Sequence, residues 1–246
     1  MKRVAVIQAR MTSTRLPGKV MMDLEGRPML AQQLRRVSRC RRIDEIVVAT
    51  TVNRTDDVVE QLCKAEGVFC HRGSEDDVLS RFVAAAREQS ADVVVRLTGD
   101  CPLADPGVID AVVEALTECP EGCDYASNVI ERTYPRGLDT EAMFRDTLER
   151  VDRLASSSSA REHVTPFIYS ERPELFLRRS VRHTSDHSSL RWTVDTAADL
   201  EVVRAFYQAL DLNHHVRSFD EIVAYALSHP ELAAKNAAIV TWEPSR

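Results

Sequence analysis

Residues 4–19 read VAVIQARMTSTRLPGK, and the fold turns on what kind of strand the first four form. Val4, Ala5, Val6 and Ile7 are apolar without alternation, the pattern of a strand covered on both faces. Such strands belong to parallel sheets, so helices are expected between them and their neighbours. The loop leaving this strand carries Arg10, Arg15 and Lys19, hydroxyls at Thr12, Ser13 and Thr14, and a Pro17-Gly18 turn. Arginine forks and a lysine point charge suit the oxygens of a polyphosphate, and strand exits are where open α/β sheets bind ligands. The spacing alone admits two readings, a solvated basic loop or a phosphate cradle.

Working outward, apolar runs alternate with helical patterns. RPMLAQQLRRVSR (27–39) has a helical rhythm with Pro28 at its start, EIVVATT (45–51) is a second buried strand, and TDDVVEQLCKAEG has Thr55 as a cap and Gly67 as a stop. Val68 to His71 reads as a third strand, Ser74 and Asp77 as capping signals for the next helix, and ADVVVRLTGD as a fourth strand ending on Asp100. Asp105-Pro106 opens another helix. After about residue 124 the runs shorten: DYASN, GLDTEAMF, LFLRRSV and LRWTV read as shorter, mixed strands, with helices expected near 144–155, 159–170, 197–210 and 218–228. The expected fold class is α/β, a mostly parallel central sheet with helices on both faces and a smaller mixed β region in the C-terminal half.

A formal net charge of −6 across 246 residues argues against a general nucleic-acid or membrane-surface binder. Any anion is therefore bound by a local cluster of cations. No apolar stretch reaches the ~20 residues of a membrane span, and the N-terminus lacks a signal-peptide pattern. A cytoplasmic protein is expected. Cys40, Cys63, Cys70, Cys101, Cys119 and Cys123 show neither paired CxxC spacing nor a disulfide framework, so reduced thiols are expected. His183 and His187 have i, i+4 spacing, but their Ser- and Asp-rich surroundings read as loop, which removes the helical geometry a metal pair needs. The first loop is not a Walker A motif, because Val20 follows Gly18-Lys19, nor a GxGxxG dinucleotide fingerprint. No GxSxG motif supports a serine hydrolase.

Two carboxylates complete the candidate site. Asp100 ends an apolar strand in LTGDCP, and Asp195 ends the apolar run of LRWTVDTAADL ahead of a helix beginning at Thr196. Two strand-end acids facing a cationic loop can share Mg²⁺ with a triphosphate, since magnesium takes oxygen ligands from carboxylates and phosphates. Taken alone, Asp100 reads as a structural ion-pair partner, and Asp199 reads as a first-turn acid favoured by the helix dipole.

The motifs QARMTSTRLPGKV, DEIVVATT, RGSEDDVLSRF, RLTGDCPLADP, TYPRGLDTE, REHVTPFIY and LRWTVDTAADL occur in order over about residues 3–210. Together they closely resemble the cytidylyltransferase family typified by the spore-coat polysaccharide biosynthesis protein SpsF, and more distantly the enzymes that make CMP-KDO and CMP-sialic acid. The resemblance implies a single-domain nucleotidyltransferase sandwich related to GT-A glycosyltransferases, spanning residues 1–246. Its nucleotide-binding part would cover about 1–123, an acceptor-binding and dimerisation part about 124–210, and C-terminal helices 211–246. It implies CTP and Mg²⁺ as cosubstrate and cofactor, a small-molecule acceptor, pyrophosphate as product, and a homodimer. Carried over by motif, Lys19, Arg10 and Asp100 are the expected catalytic residues. Ala9, Arg10, Arg15, Lys19, Arg72, Ser74 and Thr98 are the expected nucleotide contacts, with Asp100 and Asp195 the metal ligands. Arg136, Asp139, Glu141, Arg161 and His163, with Glu162, are candidates for the acceptor, which could be a sugar, sugar acid, aminopolyol, phosphonate or phosphate. Cys101 stands where the KDO-type enzymes carry an acid. Two alternatives share the fold: a GT-A glycosyltransferase, which usually shows a DxD-like pair where this chain has only Asp100, and a nucleotide-binding module without catalysis.

Overall fold

The computed structural model describes residues 1–118 and 120–239. The first half alternates as expected: β1 (Arg3–Gln8), a small hairpin of β2 (Asp23–Leu24) and β3 (Arg27–Pro28), α1 (Met29–Val37), β4 (Glu45–Thr51), α2 (Asp57–Glu66), β5 (Phe69–Gly73), α3 (Val78–Glu88), β6 (Val93–Thr98) and α4 (Pro106–Thr117). The second half contributes β7 (Tyr125–Ser127), β8 (Glu141–Phe144), α5 (Arg145–Leu154), α6 (Ser158–His163), β9 (Arg178–Ser180), α7 (Ala197–Ala209), α8 (Phe219–Ser228) and α9 (Pro230–Ala234). The main sheet has the order β5-β4-β1-β6-β8-β7-β9, with β8 alone running antiparallel to its neighbours. The described residues thus form one α/β domain with a mostly parallel sheet.

The unbroken apolar run of β1 explains the layering. Val4 and Val6 face one side, where Leu79 and Phe82 of α3, Leu148 and Val151 of α5 and Ala160 of α6 cover them. Ala5 and Ile7 face the other, against Leu30 and Leu34 of α1, Val59 of α2, and Ile109 and Val112 of α4. Each such fully buried side chain stabilises by about 1.5–3 kcal/mol relative to exposure, so a two-faced strand anchors both helical layers. A third core joins Trp192, Val203, Phe206, Tyr207, Phe219 and Ile222 to Leu24, Met29 and Leu103, seating the C-terminal helices against the hairpin and the start of α1.

Local chemistry sets the helix boundaries. Asp77 and Asp105 accept hydrogen bonds from Ser80 N and Val108 N at the starts of α3 and α4, and Gly67 ends α2 in the left-handed conformation. Thr55 does not cap α2. The chain makes a short 3₁₀ turn at Arg54–Asp56, and the Asp56 carboxylate is occupied by Met11 N and the Thr51 hydroxyl. The helix expected over 159–170 is broken. Val164 has φ 71 and Pro166 supplies no N–H, so α6 stops at His163 and a wide turn covers Phe167–Glu171. LRWTV forms no strand; it contributes one bridge, Arg136 to Arg191. The five described cysteines are free, while Cys119 lies outside the described residues. Among the described residues, no helix is long and apolar enough to cross a membrane, and His183 and His187 pack around Phe219 rather than joining a metal-binding group.

The segment ahead of Asp195 is held against the turn at Gly137. Trp192 N and Thr193 N both donate to Arg136 O, at 2.6 and 3.1 Å. A Cβ on Gly137, which has φ +106, would lie 2.4 Å from Thr193 N and 2.5 Å from the Trp192 carbonyl carbon. Gly137→Ala is therefore expected to destabilise the protein by about 2 kcal/mol or more, read as a lowered urea midpoint. A midpoint unchanged from wild type would show that this approach is not required.

Candidate active site

The site forms where β1 and β6 end side by side. Gly99 N donates to Gln8 O at 2.8 Å, and a Cβ on Gly99 would sit 2.9 Å from that oxygen, so glycine allows the two strand exits to touch. The loop after β1 closes on itself through Gly18 N to Met11 O at 2.8 Å and is tied to the turn after β4 by Met11 N to Asp56 Oδ1 at 2.7 Å. Glu75 accepts from Thr12 Oγ1 and Asn53 Nδ2 and pairs with Arg10 at 3.4 Å. Those donors hold the Glu75 carboxyl below the usual range.

This closure drives Lys19 inward, leaving it 8% exposed. Its Nζ donates to Asp100 Oδ2 at 3.0 Å, Asp195 Oδ1 at 2.9 Å and Val194 O at 2.8 Å. Burial opposes its charge, but the two carboxylates outweigh burial and raise its pKa. Burial likewise works against ionised Asp100, yet the Lys19 charge and hydrogen bonds from Thr98 and Lys19 bring its pKa down to about 2 from an ordinary 3.8. Ionised Asp100 therefore contributes stability that is present above pH 3.8 and is lost as the pH falls through about 2. Asp195 is placed by Val194 N to Asp100 O at 2.8 Å, and its Oδ2 pairs with Arg15 at 3.0 Å and Arg191 at 2.8 Å.

A cavity of about 330 Å³ opens above these groups. The first loop lines it with Arg10, Ser13, Thr14, Arg15 and Lys19, and the strand exits with Gln8, Ala9, Thr98, Gly99 and Asp100. Asp195 completes that part, while α3, β6 and α6 add Val78, Arg81, Arg96, Glu162 and His163. Arg81 is 2% exposed, and its Nε and Nη1 find no hydrogen-bond partner among the described residues. Burial, reinforced by the charge of Arg10, lowers its pKa. Arg96 is paired with buried Glu141, which also accepts from Tyr125, but the Arg96 Nε has no such partner among the described residues. Burial also pushes the His163 pKa down, favouring the neutral ring, with Glu162 opposing and Arg96 adding to that shift.

The structure thus brings Ala9, Arg10, Arg15, Lys19, Thr98, Asp100, Glu162, His163 and Asp195 to one cavity. The other expected residues are not among its lining. Arg72 binds Thr51 O at 2.9 Å, Asn53 O at 2.8 Å, and the carboxylates of Asp57 and Glu60, which fastens β4 to α2. Ser74 Oγ accepts from Asp77 N at 3.1 Å. Asp139 is held by both Nη atoms of Arg132, Glu141 by Arg96 and Tyr125, and Arg161 bridges Asp77 and Asp152. The Arg136 backbone serves the turn beside Trp192. Sequence reasoning missed Arg81, Arg96 and Arg191. Arg96 had a visible signal, a charge inside the apolar run VVVRLT, and Arg81 interrupts the buried stripe of α3.

Asp100 and Asp195 meet on a single cation, so replacing Lys19 should expose their repulsion. Lys19→Met is expected to cost about 3–5 kcal/mol in metal-free buffer, and adding Asp195→Asn should recover part of that loss. Urea unfolding of the four-member cycle measures the coupling. Strictly additive losses would show that Lys19 does not couple to Asp195.

The chain is similar to known proteins over most of its length. A family model described as cytidylyltransferase matches residues 4–221. The chain is 36% identical to the uncharacterised protein MJ1063 of Methanocaldococcus jannaschii over 97% of this chain and 96% of that protein. It is 34% identical to the spore coat polysaccharide biosynthesis protein SpsF of Bacillus subtilis, over 95% of this chain and 97% of the relative. A cytidylyltransferase structure from Leptospira borgpetersenii superimposes with a TM-score of 0.90 at 30% identity, covering 99% of this chain and 100% of the other.

Proposed function

The chain belongs to the cytidylyltransferase family, and from that premise we propose that it transfers CMP from CTP to a small acceptor carrying an anionic group, with Mg²⁺ and release of pyrophosphate. The observation that carries the reading is the buried Lys19 ammonium held between Asp100 and Asp195 at the mouth of an arginine-lined cavity. The donor set fits magnesium. Both carboxylates already converge on one cation, their oxygens are hard ligands, and among the described residues no third His, Cys, Asp or Glu joins them in a metal-binding group. That leaves positions for phosphate oxygens and water, as magnesium usually requires. Asp100 and Asp195 would hold the ion. When bound, it supplies positive charge to the phosphate oxygens and lowers the pKa of an acceptor hydroxyl.

The chain's own residues do the rest by position and charge. Arg10, Arg15 and Lys19 bind the triphosphate, and Ala9 and Thr98 line the nucleoside side of the same cavity. The acceptor oxygen attacks the α-phosphorus, the bond from that phosphorus to the α–β bridging oxygen breaks, and pyrophosphate leaves with the electron pair. The acceptor proton passes to solvent, and no side-chain base is assigned. Lys19 and Arg10 stabilise charge growing on the non-bridging and leaving oxygens, the main way proteins assist such transfers. Arg81 and Arg96 present N–H groups that the first loop does not use, and we assign them with His163 and Glu162 to the acceptor. Two arginines there favour a carboxylate, phosphate or phosphonate over a neutral sugar. The same reading keeps the enzyme cytoplasmic and homodimeric, with residues up to about 123 serving the nucleotide and those beyond serving the acceptor and the partner subunit.

A screen for pyrophosphate release with CTP, Mg²⁺ and a panel of sugar acids, aminopolyols, phosphates and phosphonates tests the reaction. An anionic acceptor should give turnover that Asp100→Asn reduces by about 10²–10³ while the fold persists. Turnover undiminished in excess chelator, or restricted to uncharged acceptors, would overturn the reading. Arg81→Gln should raise KM for the acceptor about tenfold, a loss of about 1.4 kcal/mol, and leave KM for CTP within about twofold. The reverse pattern would move Arg81 to the nucleotide.

A further inference from the structure

Behind Asp195 lies a chain of buried polar groups that the cavity does not touch. Arg191, 6% exposed, grips Asp195 Oδ2 with Nη2 at 2.8 Å and Asp199 Oδ1 with Nε at 2.8 Å. Asp199 has no exposed surface. Its Oδ2 accepts from Asp195 N at 3.0 Å, Thr196 N at 2.9 Å and Thr196 Oγ1 at 3.0 Å. Its Oδ1 accepts a further bond from Asn236 Nδ2 at 2.9 Å, and the same nitrogen donates to Arg191 O at 3.0 Å. Asn236 is 2% exposed and lies 37 residues beyond Asp199, past the last described helix.

Helix capping does not require this arrangement. The box that starts α7 is complete with Thr196 and Asp199 alone. Arg191 and Asn236 add a clamp from two other parts of the chain, and its outcome is the orientation of one carboxylate. Asp195 has its Oδ1 toward Lys19 and its Oδ2 fixed from behind, so its rotation about χ1 and χ2 is restrained. Arg191 also sets a cation against the rear of an acid that already faces Arg15 and Lys19. Buried networks of this kind hold ligands in place when every member is satisfied.

We propose that Asn236 and Arg191 are positioning residues for the metal–nucleotide site, acting through Asp199 and Asp195, so that the C-terminal segment contributes to cation affinity without reaching the cavity. The inference rests on the reading of Asp195 as a ligand given above. It assigns a role to a stretch of chain that carries no recognisable motif.

Mn²⁺ titrations followed by the EPR signal of the free ion, with CTP present and no acceptor, test it without turnover. Asn236→Ala should weaken Mn²⁺ binding about tenfold, within the range typical for residues that orient metal ligands. Thr196→Ala, which damages the cap but leaves the Arg191 clamp, should lower the melting temperature and leave Mn²⁺ affinity within about twofold. Asn236→Ser, which retains a shorter donor, should fall between wild type and Asn236→Ala and serves if the alanine variant does not fold. In steady state, the Asn236 variants should approach wild-type kcat at saturating metal. Equal Mn²⁺ affinity in wild type and either folded Asn236 variant, together with a lowered melting temperature, would make the contact merely structural and overturn the proposal. Asp195→Asn separates the two levels. If it too leaves Mn²⁺ affinity unchanged, the reading of Asp195 as a ligand fails; if it weakens binding while the Asn236 variants do not, only the positioning role fails.

Discussion

One buried ammonium organises this molecule's ligand-facing end. Lys19 is drawn among three oxygens from two distant parts of the chain, two of them carboxylates that would otherwise repel. A cation there offsets the desolvation of both acids, which neither acid could sustain alone. The price is that the chain must deliver a loop from β1, the end of β6 and the segment before α7 to one point. The contact of Gly99 with Gln8, the Gly137 turn against Trp192 and the closure of the first loop each serve that convergence. The proposed magnesium site is read from this pair of carboxylates, whose oxygens are the ligand type magnesium takes.

The distribution of charge around the cavity divides its work. Arg10 pairs with Glu75 and the more exposed Arg15 with Asp195, so each fork of the first loop is directed by a carboxylate. Arg81 and Arg96 are different: they rise from regular elements, and each retains an N–H without a hydrogen-bond partner among the described residues. Buried donors left open cost about 1–3 kcal/mol each, and a ligand oxygen removes that cost on binding. The protein therefore holds unspent hydrogen-bonding capacity where the acceptor is proposed to sit.

Much of this arrangement was legible in the sequence because strand exits are legible. Lys19 and Asp100 lie beyond the apolar runs of β1 and β6, whose parallel pairing sets their exits side by side, whereas Asp195 ends an apolar run that forms no strand and is brought in by Val194 N on Asp100 O. The two-layer core followed from the lack of alternation in Val4 to Ile7. What was not legible depended on tertiary partners. Arg72 carries the look of a pocket residue in RGSEDD but spends its donors on Thr51, Asn53 and two acids. Glu141 and Arg161 likewise meet partners that local sequence does not announce. The run LRWTV has the composition of a strand, yet its backbone is taken by the Arg136 turn, and Pro166 ended a helix that periodicity alone extended. Asn236 had no signal at all, since its meaning lies in a contact across 37 residues.

Where a bound nucleotide and cation lie relative to Lys19 is the decisive geometry. A crystal structure with a non-hydrolysable α,β-methylene analogue of CTP and Mn²⁺ measures this. The expected result is an anomalous peak shared by Asp100 and Asp195, with the Lys19 ammonium turned onto phosphate oxygens. Manganese and triphosphate bound away from both acids, with Lys19 still clasped between them, would contradict it.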